Sequence, residues 1–129
     1  MIIVQMLGWL ALIALNVFID FKLIKSGKGV NHVFETVIRI MAAILYAGLL
    51  FGVRRPDEHA GWVALFQATS FWLFFELGLN LSRGLEPFYI GETALSDRFF
   101  RKNMPVYLGL KLFALVLLIT SIIQLLKGN

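Results

Sequence analysis

The sequence predicts an all-α fold, a four-helix transmembrane bundle in one domain covering residues 1–129. Three observations lead there. Hydrophobic residues make up 59% of the chain and charged residues only 16%, with a mean hydropathy of +0.80, whereas a soluble domain is about half apolar and about a quarter charged. The apolar residues gather in four long runs, each carrying its few charges near one end. A single core of this size cannot hide so much apolar surface, and lipid accepts it.

The first run covers about residues 2–19, with Gln5 and Asn16 its only strongly polar side chains. No Lys or Arg precedes it, so it lacks the basic start of a secretory signal and reads as a retained helix. The second covers about 33–53, the third about 61–81 and the fourth about 105–126. Pro105 suits a first helical turn, where its missing N–H costs no helical bond. Each run holds about 18 to 22 residues, which at about 1.5 Å rise matches a hydrocarbon layer of about 30 Å. The third connection is the longest. Within it Thr93 is placed to cap a short helix with Leu95 and Phe99 on one face and Phe100 beside them. Asp97, Arg98, Arg101 and Lys102 fall elsewhere on that helix, which then lies in the headgroup plane between the third and fourth spans.

Lys and Arg counts set the expected orientation. Lys22, Lys25, Lys28, Arg83, Arg98, Arg101 and Lys102 flank the first and third loops, against Arg54, Arg55 and Lys127 on the other side. Seven against three puts the first and third loops in the cytoplasm and both termini outside. The net charge of +4 follows from those loops, and no basic patch is interleaved with aromatics, so no nucleic-acid partner is expected. Cysteine is absent, which excludes disulfides, thiolate metal sites and cysteine nucleophiles.

Polar residues recur at helical spacing near that cytoplasmic face. They are Asn16 and Asp20 on the first helix, His32, Glu35 and Arg39 on the second, and Glu76, Asn80 and Arg83 on the third. Steps of three and four put each set on one stripe, which lipid does not tolerate and the bundle interior does. With the second and third helices antiparallel neighbours, Arg39 faces Glu76 and Glu35 faces Asn80 or Arg83, while Asp20 approaches His32 or Lys22. Such a network serves as a structural clamp. The same residues also offer a site: Asp20, His32, Glu35 and Glu76 are candidate ligands for a divalent metal that activates water. The two arginines compete with a metal for those oxygens. A third option is a proton or ion relay through Glu76 and His32.

Gly48 and Gly52 form a GxxxG suited to close helix packing, within the bundle or in a homo-oligomer. Lys111, near the start of the fourth span, is placed to snorkel or to pair with Asp97. Ser70, Thr69 and Ser96 have no adjacent histidine base, and no glycine-rich phosphate loop is present.

The segments FWLFFELGLNLSRG (71–84), FYIG (88–91) and SDRF (96–99) resemble a stretch of small uncharacterised multi-pass membrane proteins of bacteria and their phages. The resemblance implies a prokaryotic or phage source and no activity, and a prokaryotic inner membrane is the expected location. The first expectation is therefore a non-enzymatic subunit or accessory protein in the lipid bilayer, whose loops dock a protein partner or anionic lipid. A membrane-embedded metal-dependent hydrolase and a holin-like or proton-pathway protein are the alternatives.

Overall fold

A computed structural model describes residues 1–28, 32–90 and 95–128, and these form helices and turns with no strand among them. The order is α1 (Ile2–Lys25), α2 (His32–Leu49), α3 (Glu58–Ser82), α4 (Leu95–Lys102) and α5 (Met104–Lys127). Among the described residues α1, α3 and α5 are long and apolar enough to cross a membrane. At about 1.5 Å per residue, their 24 or 25 residues reach about 36 Å.

Helix ends depart from the apolar runs for local reasons. α1 continues to Lys25, with Lys22 and Lys25 lying over the rings of Phe18 and Phe21 at 5.4 and 5.9 Å. α2 stops at Leu49, short of its apolar run. Gly52 adopts φ +71° and the Val53 N–H reaches back to the Ala47 carbonyl at 3.0 Å, so the chain turns before Pro56. α3 starts early because Asp57 Oδ1 accepts the Ala60 N–H at 3.0 Å. It ends in a Schellman turn: Gly84 at φ +70° lets the Leu85 N–H bond Asn80 O at 2.9 Å and its own N–H bond Leu81 O at 3.1 Å. Pro105 occupies the first turn of α5.

α3 is the central helix, packed against both α1 and α5, which also touch each other. Trp9 meets Ser70 and Val17 meets Gly78, so α1 and α3 run parallel. α5 runs the opposite way, Tyr107 meeting Glu76 while Lys111, one turn on, reaches back to Trp72 O. In lipid, apolar burial does not drive helices together, and close approach with internal hydrogen bonds does. The seams show both. Ser70 and Ser121 are fully buried, and the Trp9 indole N–H donates to Ser70 Oγ at 3.1 Å. A Cβ at Gly78 would stand 3.1 Å from Val17 Cγ2, so glycine sets that helix spacing.

α2 does not complete a bundle of four equal walls. Tyr46 is its one buried residue among those described. Polar bonds tether it to its neighbours: the Tyr46 hydroxyl donates to Gln5 O at 2.7 Å, and Gln67 Nε2 donates to Ala43 O at 3.1 Å. Gln5 Nε2 also donates to Leu50 O. The absent side chain at Gly8 makes room for the Tyr46 hydroxyl, which a methyl there would overlap. Beyond these tethers α2 and α3 diverge around a cleft of about 1350 Å³.

Candidate functional site

Two separate charge groups stand where the sequence placed one network. In the first, Arg39 leaves α2 toward α1. Its Nη2 lies 2.7 Å from Asp20 Oδ2 and 3.6 Å from Glu35 Oε2, one turn back on its own helix. The guanidinium sits over the Phe75 ring at 4.4 Å and the Phe71 ring at 5.4 Å, a cation–π cradle from α3. Asp20 is 4% exposed. Its Oδ1, and Arg39 Nε, are buried with no partner among the described residues.

The second group joins α3 to α5. Glu76 Oε2 accepts from Lys111 Nζ at 2.6 Å and from the Tyr107 hydroxyl at 2.7 Å, while Oε1 accepts the Trp72 indole N–H at 3.2 Å. Lys111 also reaches Trp72 O at 3.3 Å and lies 4.0 Å from the Trp72 ring centre. Its side chain is 7% exposed against 39% for Glu76. The ammonium is therefore enclosed, and the carboxylate borders the cleft. A buried ammonium needs such a partner, because leaving one member of a buried pair alone costs about 3–5 kcal/mol.

The expected facing of Arg39 with Glu76 is therefore not what the structure holds. Arg39 takes Asp20, and Glu76 takes Lys111: the Arg39 side chain crosses the Phe71 and Phe75 rings of α3 to reach α1, while Glu76 faces α5. Lys111 pairs with Glu76, where the sequence offered Asp97 or the interface. Glu35 does not reach across to α3 but stays with Arg39. Asn80 turns to the following loop, its Nδ2 donating to Pro87 O and Tyr89 O at 3.0 Å each. Asn16 Nδ2 bonds Leu12 O at 2.9 Å in its own helix. Arg83 is exposed at the end of α3, at the mouth of the cleft. Thr93 and the His32 side chain lie outside the described residues.

The metal candidates are dispersed by the same geometry. Asp20 and Glu35 surround one cation and Glu76 sits against another, and among the described residues no three His, Asp or Glu side chains converge. Donor oxygens already held by guanidinium and ammonium groups do not fit a divalent cation. Gly48 lies in α2 and Gly52 in the turn after it, so the two do not share a helical face. A Cβ at Gly48 would meet only Val53 O at 3.9 Å, and at Gly52 nothing within 4 Å.

α4 carries Asp97, Arg98, Arg101 and Lys102 and exposes Phe99, while Phe100 turns in to Tyr107 with ring centres 5.1 Å apart. This fixes α4 beside the start of α5 and the end of the cleft. No family model, curated protein or solved structure matches the chain.

Sequence reasoning missed Trp72, Tyr107 and Lys111 as members of the site. The signal was present: Trp72 and Glu76 are four apart, as are Tyr107 and Lys111. That is the same one-face spacing that selected the other polar stripes.

Proposed function

We propose that this chain is a multi-pass protein of a prokaryotic inner membrane, acting as a non-enzymatic subunit or accessory protein. In this reading α2 is a fourth crossing, since 18 residues at about 1.5 Å span about 27 Å. Both termini lie outside, and α4 with loop 86–102 forms the cytoplasmic face that docks a protein partner. The observation that carries the reading is that the polar helix residues pair with one another in two separate groups. Arg39 holds both Asp20 and Glu35, and Glu76 holds Lys111 and Tyr107, which supports a clamp in place of a converging catalytic set. Support for docking comes from the amphipathic α4, whose basic last turn stands beside an exposed Phe99.

Crosslinking in native membranes followed by affinity capture tests the role. Deleting 92–102 is expected to remove specific crosslinked proteins, and an unchanged crosslink pattern contradicts the docking role. Because the chain has no cysteine, orientation is open to single-cysteine labelling. Lys28→Cys is expected to resist, and Arg55→Cys to accept, a membrane-impermeant thiol reagent added to intact cells.

A further inference from the structure

We propose that the α2–α3 cleft binds one anionic phospholipid, with its headgroup at the Arg83 mouth and an acyl chain along the alanine wall. The inference goes beyond the accessory role and holds whether or not α4 recruits a protein.

The cleft follows α3 from Ala60 to Arg83, about 35 Å at 1.5 Å per residue, close to the thickness of a bilayer's hydrocarbon layer. The half remote from Arg83 is walled by Ala60, Ala64 and Ala68 on α3 and by Ala43 and Ala47 on α2. A methyl-lined space of about 1350 Å³ within hydrocarbon forfeits its dispersion contacts unless something apolar fills it. Two bridges across the cleft decide what fits. Gln67 Nε2 donates to Ala43 O at 3.1 Å, and Arg39 rests on Phe75 at 4.4 Å. A partner helix, about 10 Å across with its side chains, cannot lie along the wall without breaking both. A single acyl chain passes beside them.

Charge selects the end and the headgroup. With Arg39 and its two carboxylates counted, the sequence around the Arg83 end carries eight Lys and Arg against Asp20, Glu35, Glu86, Glu92 and Asp97. Asp97 also lines this mouth, so one carboxylate there opposes the cations. Arg54 and Arg55 line the other mouth, but both are engaged there: Arg54 donates to Gly48 O at 3.0 Å and Arg55 to Asp57 at 3.3 Å. Glu76, the one other carboxylate bordering the cleft near Arg83, is neutralised by Lys111. The exposed Arg83 guanidinium offers a fork of donors that suits a lipid phosphate.

Native mass spectrometry of the full chain, released from detergent with phosphatidylglycerol or phosphatidylethanolamine added, tests this. One phosphatidylglycerol per chain is expected to be retained in preference to phosphatidylethanolamine. An Ala64→Phe, Ala68→Phe variant, which fills the wall, is expected to lose it. Arg83→Gln, on the surface, is expected to weaken phosphatidylglycerol retention about tenfold and erase the preference. Equal retention of both lipids overturns the proposal, as does retention by the filled variant or an unchanged preference in Arg83→Gln. A lipid-free dimer that the filled variant abolishes also overturns it, because a second copy then occupies the cleft. If the filled variant does not fold, Arg83→Gln alone decides.

Discussion

α5 and α2 join the same central helix by different means. α5 lies along α3 with its Ser121 fully buried, and it carries an enclosed ammonium that its neighbour neutralises. α2 turns most of its surface outward and is held by a few polar bonds at Tyr46, Ala43 and Arg39. In the proposed reading of α2 as a crossing, its outward apolar surface costs nothing in lipid, so cohesion depends on small residues and internal polar partners. A helix with both packs closely. A helix with tethers alone keeps a cleft beside it.

The largest break in this comparison lies in the α3–α5 seam. Glu76→Gln strands the Lys111 ammonium in its enclosed position and is expected to cost about 3–5 kcal/mol, read as a lowered midpoint in denaturant titration from micelles. Lys111→Met is expected to cost less, because the carboxylate it strands is 39% exposed at the cleft.

Arg39→Gln sharpens the contrast from the other side. It strands Asp20, which is 4% exposed, at a cost of about 3 kcal/mol. The loss is expected to fall on α2. Hydrogen exchange should rise across 33–49 while α3 and α5 keep their protection. Uniform deprotection contradicts the view of α2 as a separately tethered helix.

Gly8→Ala is a smaller probe of the same tether. The added methyl overlaps the Tyr46 hydroxyl and displaces it from Gln5 O. A cost of about 1–2 kcal/mol is expected, and most of it should vanish when Tyr46→Phe removes the hydroxyl as well.

The smallest effect concerns the start of α3. The Ala60 N–H bound to the Asp57 carboxylate holds its pKa below the ordinary 3.8, with Arg55 and His59 adding to the effect. A lowered folded-state pKa gives stabilisation that is present above the unfolded value and lost as pH falls through the folded one. Protection of the Ala60 amide is expected to persist through pH 3.8 and fade below it. Asp57→Asn keeps an uncharged cap and is expected to flatten that dependence.

Much of the fold was legible because lipid-crossing segments write their length and polarity into the chain. The runs at 2–19, 61–81 and 105–126 each fall within a helix, and the short polar helix between the third and fourth runs is α4. The end of α2 was less legible, since Gly52 continues an apolar run in sequence yet turns the backbone at φ +71°. Within the candidate site, spacing identified which polar residues share a face but not which helix that face meets. Arg39 and Glu76 were matched by depth on the premise that consecutive helices pack together. α2 does touch α3, but the Arg39 side chain turns to Asp20 on α1 and Glu76 turns to Lys111 on α5.

That exchange of partners is measurable in one experiment. Double-mutant cycles combining Glu76→Gln with Lys111→Met, and Glu76→Gln with Arg39→Gln, report which cation the carboxylate senses. The structure predicts a coupling of about 2–3 kcal/mol for Glu76 with Lys111 and under about 0.5 kcal/mol for Glu76 with Arg39. A strong coupling to Arg39 with none to Lys111 would contradict the two-clamp account and restore a single shared network.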